Sequence, residues 1–259
     1  MAQLSKPAAV TFDLWRTLIF EFGKKENSAQ RRELRADYGV AALAEMGESV
    51  DRANFYKVFV DISNEITTAH DNETDLHFAQ WIRLGLSRID SELPSRIGIF
   101  GISTVGSAID KSFIDSPPTL LDGAMEVLDG ITERGLRIGM ITNTGLTSGG
   151  AFRDWFADIG LLKKFTHIAY SNEMRTAKPG NLMFDATLRA LGVEHKRALH
   201  VGDNLLADVA GAAWTGMSTV WAAGDSRPDA KKTVEPDYTV ETVIELLPIV
   251  DDWLEGLES

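Results

Sequence analysis

Four short segments carry the side chains most able to do chemistry in this sequence, and each follows an apolar run. The first, Asp13-Leu14-Trp15-Arg16-Thr17-Leu18, comes straight after Ala8-Ala9-Val10-Thr11-Phe12. A carboxylate where a buried strand ends faces a ligand, because open α/β sheets bind ligands in the crevice at the carboxyl ends of their strands. The second, Thr142-Asn143-Thr144-Gly145 after Ile141, offers a hydroxyl, an amide and turn N–H groups suited to an anion. The third is the loop from Ser171 to Ala177 that leads into Lys178-Pro179-Gly180. Proline and its neighbours set a helix start there, so Lys178 can aim its ammonium at a phosphate and at the acid that attacks it. The fourth, His200-Val201-Gly202-Asp203-Asn204, opens a helix carrying Asp208. Asp13, Asp203 and Asp208 form an all-oxygen set of the kind Mg²⁺ prefers, with room for water and substrate phosphate. Such an ion neutralises charge on a transferring phosphoryl group.

These segments need strands to hold them. From about residue 24 to residue 115 the pattern is mostly helical: Leu34, Leu43 and Met46, then Phe55, Phe59, Ile62 and Ile66, recur at helical intervals. Pro117-Pro118 closes that block, with Gly101 and Gly106 expected in a loop near its end. Helices and short apolar strands then alternate. Helices are expected over Asp122–Arg134, Ala151–Ile159, Leu182–Leu191, Leu205–Thr215 and Val240–Leu254. Strands are expected over Leu136–Ile141, Thr166–Ala169, Ala198–Val201 and Met217–Trp221, with a solvated loop over Asp225–Lys232. That rhythm predicts an α/β fold, a doubly wound parallel sheet, with the helical block inserted after the first strand. Residues 1–20 and 116–259 form the core domain on this reading. Residues 21–115 form a domain over the strand ends, next to Asp13.

A chain of 259 residues with 44% hydrophobic content can bury a large core. Its net charge of −12 argues against nucleic-acid binding, which needs a basic face to displace counterions. It has no cysteine, so disulfides, thiolate zinc sites and cysteine nucleophiles are excluded together. The segment Met1 to Pro7 lacks an apolar signal core, and no stretch reaches the roughly 18 consecutive apolar residues of a membrane span. A cytoplasmic protein with no membrane partner is expected, and nothing specifies an oligomeric state.

In this order and at these separations, the four segments resemble the haloacid dehalogenase superfamily of hydrolases. The helical insertion looks like that superfamily's C1-type cap on a Rossmann-like core. The resemblance spans nearly the whole chain. It is most specific at Lys178-Pro179 with Phe184 and Leu191-Gly192-Val193, and from Gly202-Asp203-Asn204 through Asp208-Val209 to Gly211-Ala212 and Gly216-Met217. It implies that Asp13 is the nucleophile, forming an aspartyl-phosphate that water hydrolyses. Thr142 and the backbone of Asn143 would then bind the phosphoryl group of a small phosphorylated substrate, and Lys178 would neutralise nucleophile and phosphate. Asp13, Asp203 and the Trp15 carbonyl would ligate Mg²⁺. Asp208 would complete that site or hold Asp203 from behind.

Trp15 stands two positions after the nucleophile, where phosphatases of this superfamily usually carry a second aspartate as general acid and base. Such assistance is worth about 10²–10⁴-fold, and an indole cannot supply it; a cap residue, a bound water or a good leaving group would have to. Haloacid dehalogenases also carry an aromatic there, so Trp15 alone favours carbon–halogen cleavage without metal. The retained Asp203 and Asp208 favour the metal-dependent phosphatase. A third alternative is a phospho-ligand or partner binding module with little turnover. Phosphonate cleavage would need a cap lysine; Lys57 is present without a supporting motif. Several residues have simpler readings. Asp208 suits a first helical turn through the dipole. Arg16 is either an anion contact or an exposed loop residue. His70, His77, His167, His195 and His200 show no metal spacing, and Phe55, Phe59, Phe78 and Trp81 read as core of the insertion.

Overall fold

In a computed structural model that describes residues 6–20, 26–224 and 234–258, β1 (Ala9–Phe12) is buried at every position. A strand without a polar face belongs in the middle of a parallel sheet covered on both sides, and β1 lies there. The chain continues through β2 (Ile19–Phe20), α1 (Glu26–Glu45), α2 (Arg52–Asp71), α3 (Phe78–Ile89), α4 (Leu93–Asp115) and β3 (Thr119–Leu120). Then come α5 (Ala124–Glu133), β4 (Arg137–Thr142), α6 (Gly149–Asp158), β5 (His167–Tyr170), α7 (Ser171–Met174), α8 (Asn181–Leu191) and β6 (Ala198–Gly202). A π-helical segment, Leu205–Ala210, leads to α9 (Gly211–Trp214), β7 (Ser218–Ala222), β8 (Tyr238–Val240) and α10 (Leu246–Glu258).

Six strands pair in the order β5-β4-β1-β6-β7-β8, all parallel. Phe12 is level with Met140 on one side and Val201 on the other. The residues just past β1, β4 and β6 therefore emerge side by side. On one face, Val127, Leu128, Ile131, Phe152, Phe156, Leu246 and Val250 from α5, α6 and α10 form the larger core; on the other, Met183, Phe184, Leu188 and Leu191 of α8 pack with Ala212 of α9. Each fully buried Leu, Ile or Phe contributes about 1.5–3 kcal/mol. Gly192 in the left-handed conformation (φ 62°) ends α8.

The helical insertion builds a core of its own from Leu43, Phe55, Phe59, Ile62, Ile66, Trp81, Ile82, Leu86, Val105 and Ile109. Phe55 and Phe59 stack with centroids 4.4 Å apart. The antiparallel pair Ile19↔Leu120 and Phe20↔Thr119 ties its two ends together where the chain leaves and rejoins the core. Four expectations change. Val240 ends the strand β8 and the last helix starts only at Leu246; a three-residue strand is too short to show a period of two. The helix expected over Leu205–Thr215 opens as the π-helical segment. Gly101 and Gly106 lie buried inside α4, and the backbone break falls at Gly98 (φ 64°). In length and composition α4 could also cross a membrane, with mean hydropathy 1.2 over an 18-residue window, whereas no such stretch was expected; its apolar residues Val105, Ile109 and Phe113 are spent on internal packing. Asp225–Lys232 lies outside the described residues.

Candidate active site

The Asp13 N–H donates to the Val201 carbonyl at 2.8 Å, extending the β1–β6 ladder by one residue and fixing where its carboxylate leaves the sheet. The chain then turns tightly: Arg16 N–H donates to the Ile19 carbonyl, and the Leu18 and Ile19 N–H groups both donate to Leu14. Arg16 takes a left-handed conformation (φ 61°) to make this turn. The Trp15 carbonyl accepts no backbone hydrogen bond among the described residues. Its indole is half-buried against the larger core.

Lys178 comes from the loop after α7 and is 2% exposed. Asn143, just past β4, grips its backbone from both sides: Oδ1 accepts from the Lys178 N–H at 2.9 Å, and Nδ2 donates to the Lys178 carbonyl at 3.0 Å. So held, Nζ donates to Asp13 Oδ1 and to Asp208 Oδ1, both at 2.6 Å. Asp208 projects from the π-helical segment back toward its own strand. Its Oδ2 accepts from the Asn204 N–H at 2.9 Å, and its Oδ1 also meets His200 Nε2 at 3.4 Å. Gly202 makes this approach possible, since a Cβ there would lie 2.3 Å from Asp208 Cγ. Asn204 caps the segment by accepting from the N–H groups of Leu206 and Ala207, and Trp221 Nε1 donates to the Asp203 carbonyl at 3.0 Å.

Lys178 thus bonds two of three neighbouring buried carboxylates, and Asp203 is the third. Burial pushes the Asp13 carboxyl up to about 6 against the pull of Lys178. Burial, with Asp13 and Asp208 nearby, pushes Asp203 up to about 8. Burial also acts on Asp208, but Lys178 and the His200 hydrogen bond outweigh it and hold that carboxyl well below its usual range. Burial likewise disfavours the Lys178 charge, and Asp13 and Asp208 more than restore it. The Lys178–Asp208 pair is therefore ionised, whereas burial and the neighbouring carboxylates favour the protonated form at Asp203.

The residues expected from the four segments come together. Asp13, Trp15, Arg16, Asn143, Lys178, Asp203 and Asp208 line one cavity of about 260 Å³. Thr142 is set behind them, fully buried at the end of β4, with Oγ1 lacking a hydrogen-bond partner among the described residues. The insertion supplies the opposite wall through Ser63, Ile66, Thr67, His70 and Asp71 of α2, none of which had been singled out as site residues. Ser63, Ile66, Thr67 and His70 recur at helical intervals on one face, a pattern shared by any amphipathic helix. The turn after α2 is hydrogen-bonded to the loop carrying Lys178, the Ala177 N–H donating to the Glu73 carbonyl at 3.1 Å. Asp75 accepts from Ser171 Oγ at 2.7 Å.

Asp13, Asp203 and Asp208 each offer an oxygen, and these oxygens lie within 4.8 Å of one another. An all-oxygen donor set with uncompensated negative charge suits a hard divalent cation.

A family model described as haloacid dehalogenase-like hydrolase matches residues 7–216. The chain is 26% identical over 250 residues to the glyceraldehyde 3-phosphate phosphatase of Methanopyrus kandleri, covering 93% of this chain and 96% of that one. It is 27% identical over 256 residues to the ribulose-1,5-bisphosphate 5-phosphatase of Halopiger xanaduensis, covering 93% and 98%. Among solved structures, a 2-haloacid dehalogenase from Pseudomonas syringae superposes with a TM-score of 0.67 at 20% identity, covering 96% of this chain and all of the other. A phosphatase from Thermococcus onnurineus superposes at 0.60 and 22%, covering 94% and 97%. These structures share the fold.

Proposed function

Because the chain belongs to the haloacid dehalogenase-like hydrolase family, we propose that it is a Mg²⁺-dependent phosphatase acting on a small phosphorylated metabolite through an aspartyl-phosphate on Asp13. Residues 1–20 and 116–259 are its catalytic core and residues 21–115 its cap, working in the cytoplasm. The observation that carries the reading is the set of three buried carboxylates around one lysine: Lys178 bonded at 2.6 Å to both Asp13 and Asp208, with Asp203 left over. A metal-free dehalogenase has no use for the third acid.

In this reading the Asp13 carboxylate attacks phosphorus, and Lys178 holds the carboxylate while neutralising the phosphoryl oxygens. The Thr142 hydroxyl gains in a phosphoryl oxygen the partner it lacks. The Asn143 side chain is committed to Lys178, so its part is to place the lysine, while its backbone and Thr144 face the substrate. Arg16, on the cavity wall, takes a second anionic group of the substrate. Mg²⁺, when bound by Asp13, Asp203 and the Trp15 carbonyl, stabilises charge on the transferring group. Asp208, whose two oxygens are already engaged, supports this set from behind. The named activities of the relatives point to phosphorylated sugars as the first compounds to offer.

The test is phosphate release from a panel of sugar and triose phosphates, in Mg²⁺ and in EDTA, beside halide release from 2-haloacids. Mg²⁺-dependent phosphate release supports the reading. Halide release, or phosphate release that survives EDTA, refutes it. Ligand binding with neither product identifies a binding module.

A further inference from the structure

With Trp15 in place of the usual acid, the proposed reaction still needs a proton for the leaving group, and the cap wall of the cavity offers one held in position. His70, in the last turn of α2, lines the same cavity as Asp13 and Lys178, with its side chain 13% exposed. Its Nε2 meets Asp75 Oδ2 at 2.9 Å. Asp75 is completely enclosed and itself fixed: it accepts from Trp81 Nε1 and from Ser171 Oγ, each at 2.7 Å. Ser171 Oγ in turn accepts from the Thr144 N–H at 2.8 Å, so the network ends at the loop that follows β4. His70 Nδ1 makes no hydrogen bond among the described residues. A ring tied at one nitrogen by a buried carboxylate, with the other nitrogen uncommitted on a cavity, is the arrangement that orients an imidazole for proton transfer.

We propose that His70, positioned by Asp75, is the general acid and base that replaces the acid missing at Trp15. This assignment rests on the phosphatase reading above. As Asp13 attacks phosphorus, the bond from phosphorus to the leaving oxygen breaks and its electron pair stays on that oxygen. The doubly protonated ring, with Nε2–H held by Asp75, gives its Nδ1 proton to the oxygen, and the alcohol departs. In the second half, water attacks the phosphorus of the aspartyl-phosphate and loses a proton to Nδ1. The phosphorus–Asp13 bond breaks with its electron pair returning to the carboxylate, inorganic phosphate leaves, and both groups regain their starting states. Asp71 also lies on the cavity but is exposed, and no hydrogen bond among the described residues positions it.

Leaving-group dependence tests the role, because an alcohol needs a proton to depart and p-nitrophenolate does not. Steady-state kinetics in Mg²⁺ on glycerol 3-phosphate and p-nitrophenyl phosphate compare the wild-type protein with His70→Gln, His70→Asn and Asp71→Asn. Both His70 variants are expected to lose about 10²–10⁴-fold in kcat on the alkyl ester and under tenfold on the aryl ester, with the native circular dichroism spectrum retained at the assay temperature. Asp71→Asn is expected to keep the wild-type ratio. Equal losses on both esters, retained alkyl-ester turnover in the His70 variants, or a selective loss in Asp71→Asn would each overturn the assignment. A wild-type protein that hydrolyses neither ester is a failure of the phosphatase reading itself.

Discussion

Asp203→Asn should make the metal-free protein more stable while removing its response to Mg²⁺. The Asp203 carboxyl is raised from 3.8 to about 8 by burial and by Asp13 and Asp208, and its side chain makes no hydrogen bond among the described residues that an amide would lose. Between about pH 4 and pH 8 the folded protein holds a proton that the unfolded chain has released. Stability from this group is thus fully present below about pH 4 and is lost as the pH rises through about 8. At pH 7 the gap is about three pH units, and at 1.36 kcal/mol per unit the cost is at most about 4 kcal/mol. The amide does not titrate, so the variant avoids that cost. In EDTA at pH 7–8 it should melt higher than the wild type by up to about 8–16 °C, at about 2–4 °C per kcal/mol for a chain of this size. The difference should shrink toward zero near pH 4. A cation at 100 times its dissociation constant adds about 2.7 kcal/mol to the wild type and nothing to the variant. Differential scanning calorimetry across pH 4–8, with Mg²⁺ and with EDTA, measures all of this. A variant that is no more stable at pH 8, or whose advantage is the same at pH 5 as at pH 8, would refute the electrostatic account of the site.

Lys178→Met leaves Asp13 and Asp208 buried without their cation and should cost about 3–5 kcal/mol in urea denaturation at pH 7, a deficit that shrinks on acidification as the carboxylates take up protons. Thr142→Val removes a buried hydroxyl that has no partner among the described residues, so stability should stay within about 1 kcal/mol while phosphatase kcat/KM falls about 10–100-fold for one lost bond to a charged group. Gly202→Ala forces a methyl against Asp208 Cγ; urea denaturation should show a loss of about 1–3 kcal/mol, and calorimetric titration should show weaker Mg²⁺ binding.

Much of the strand-end side of the candidate site was legible before any fold was known, because its signals are local. Apolar runs ending in Asp13, Thr142 and Asp203 state where strands stop, and in a parallel sheet those ends share one crevice. The insertion was legible as helix from its periodicity, and its place over the strand ends from the order of the elements, yet which of its residues face the site was not. His70 showed no metal spacing, and its partner Asp75 lies beyond the helix end, outside any periodic pattern. The strand β8 was hidden for a different reason: three residues beside a longer apolar helical run carry no period of their own. Gly101 and Gly106 misled because glycine in a helix packed against large side chains has the same letter as glycine in a loop. In the fold Asp208 and His200 are both buried and contact each other, a pairing that no local pattern announces.

The amino-acid sequence by itself determined the alternation of strand and helix, the helical insertion, and which chemical groups stand at the strand ends, since all of these follow from short-range periodicity and residue type. Only the tertiary structure decided how the groups divide their charge. Lys178 sits 165 residues from Asp13 and 30 from Asp208, and the strand order β5-β4-β1-β6 together with the Asn143 clamp places its ammonium between them. That placement leaves Asp203 as the uncompensated acid. The docking of α2 over the crevice brings the His70 imidazole to the cavity that Asp13, Trp15 and Lys178 line. Both outcomes depend on contacts between distant segments, which spacing along the chain does not encode.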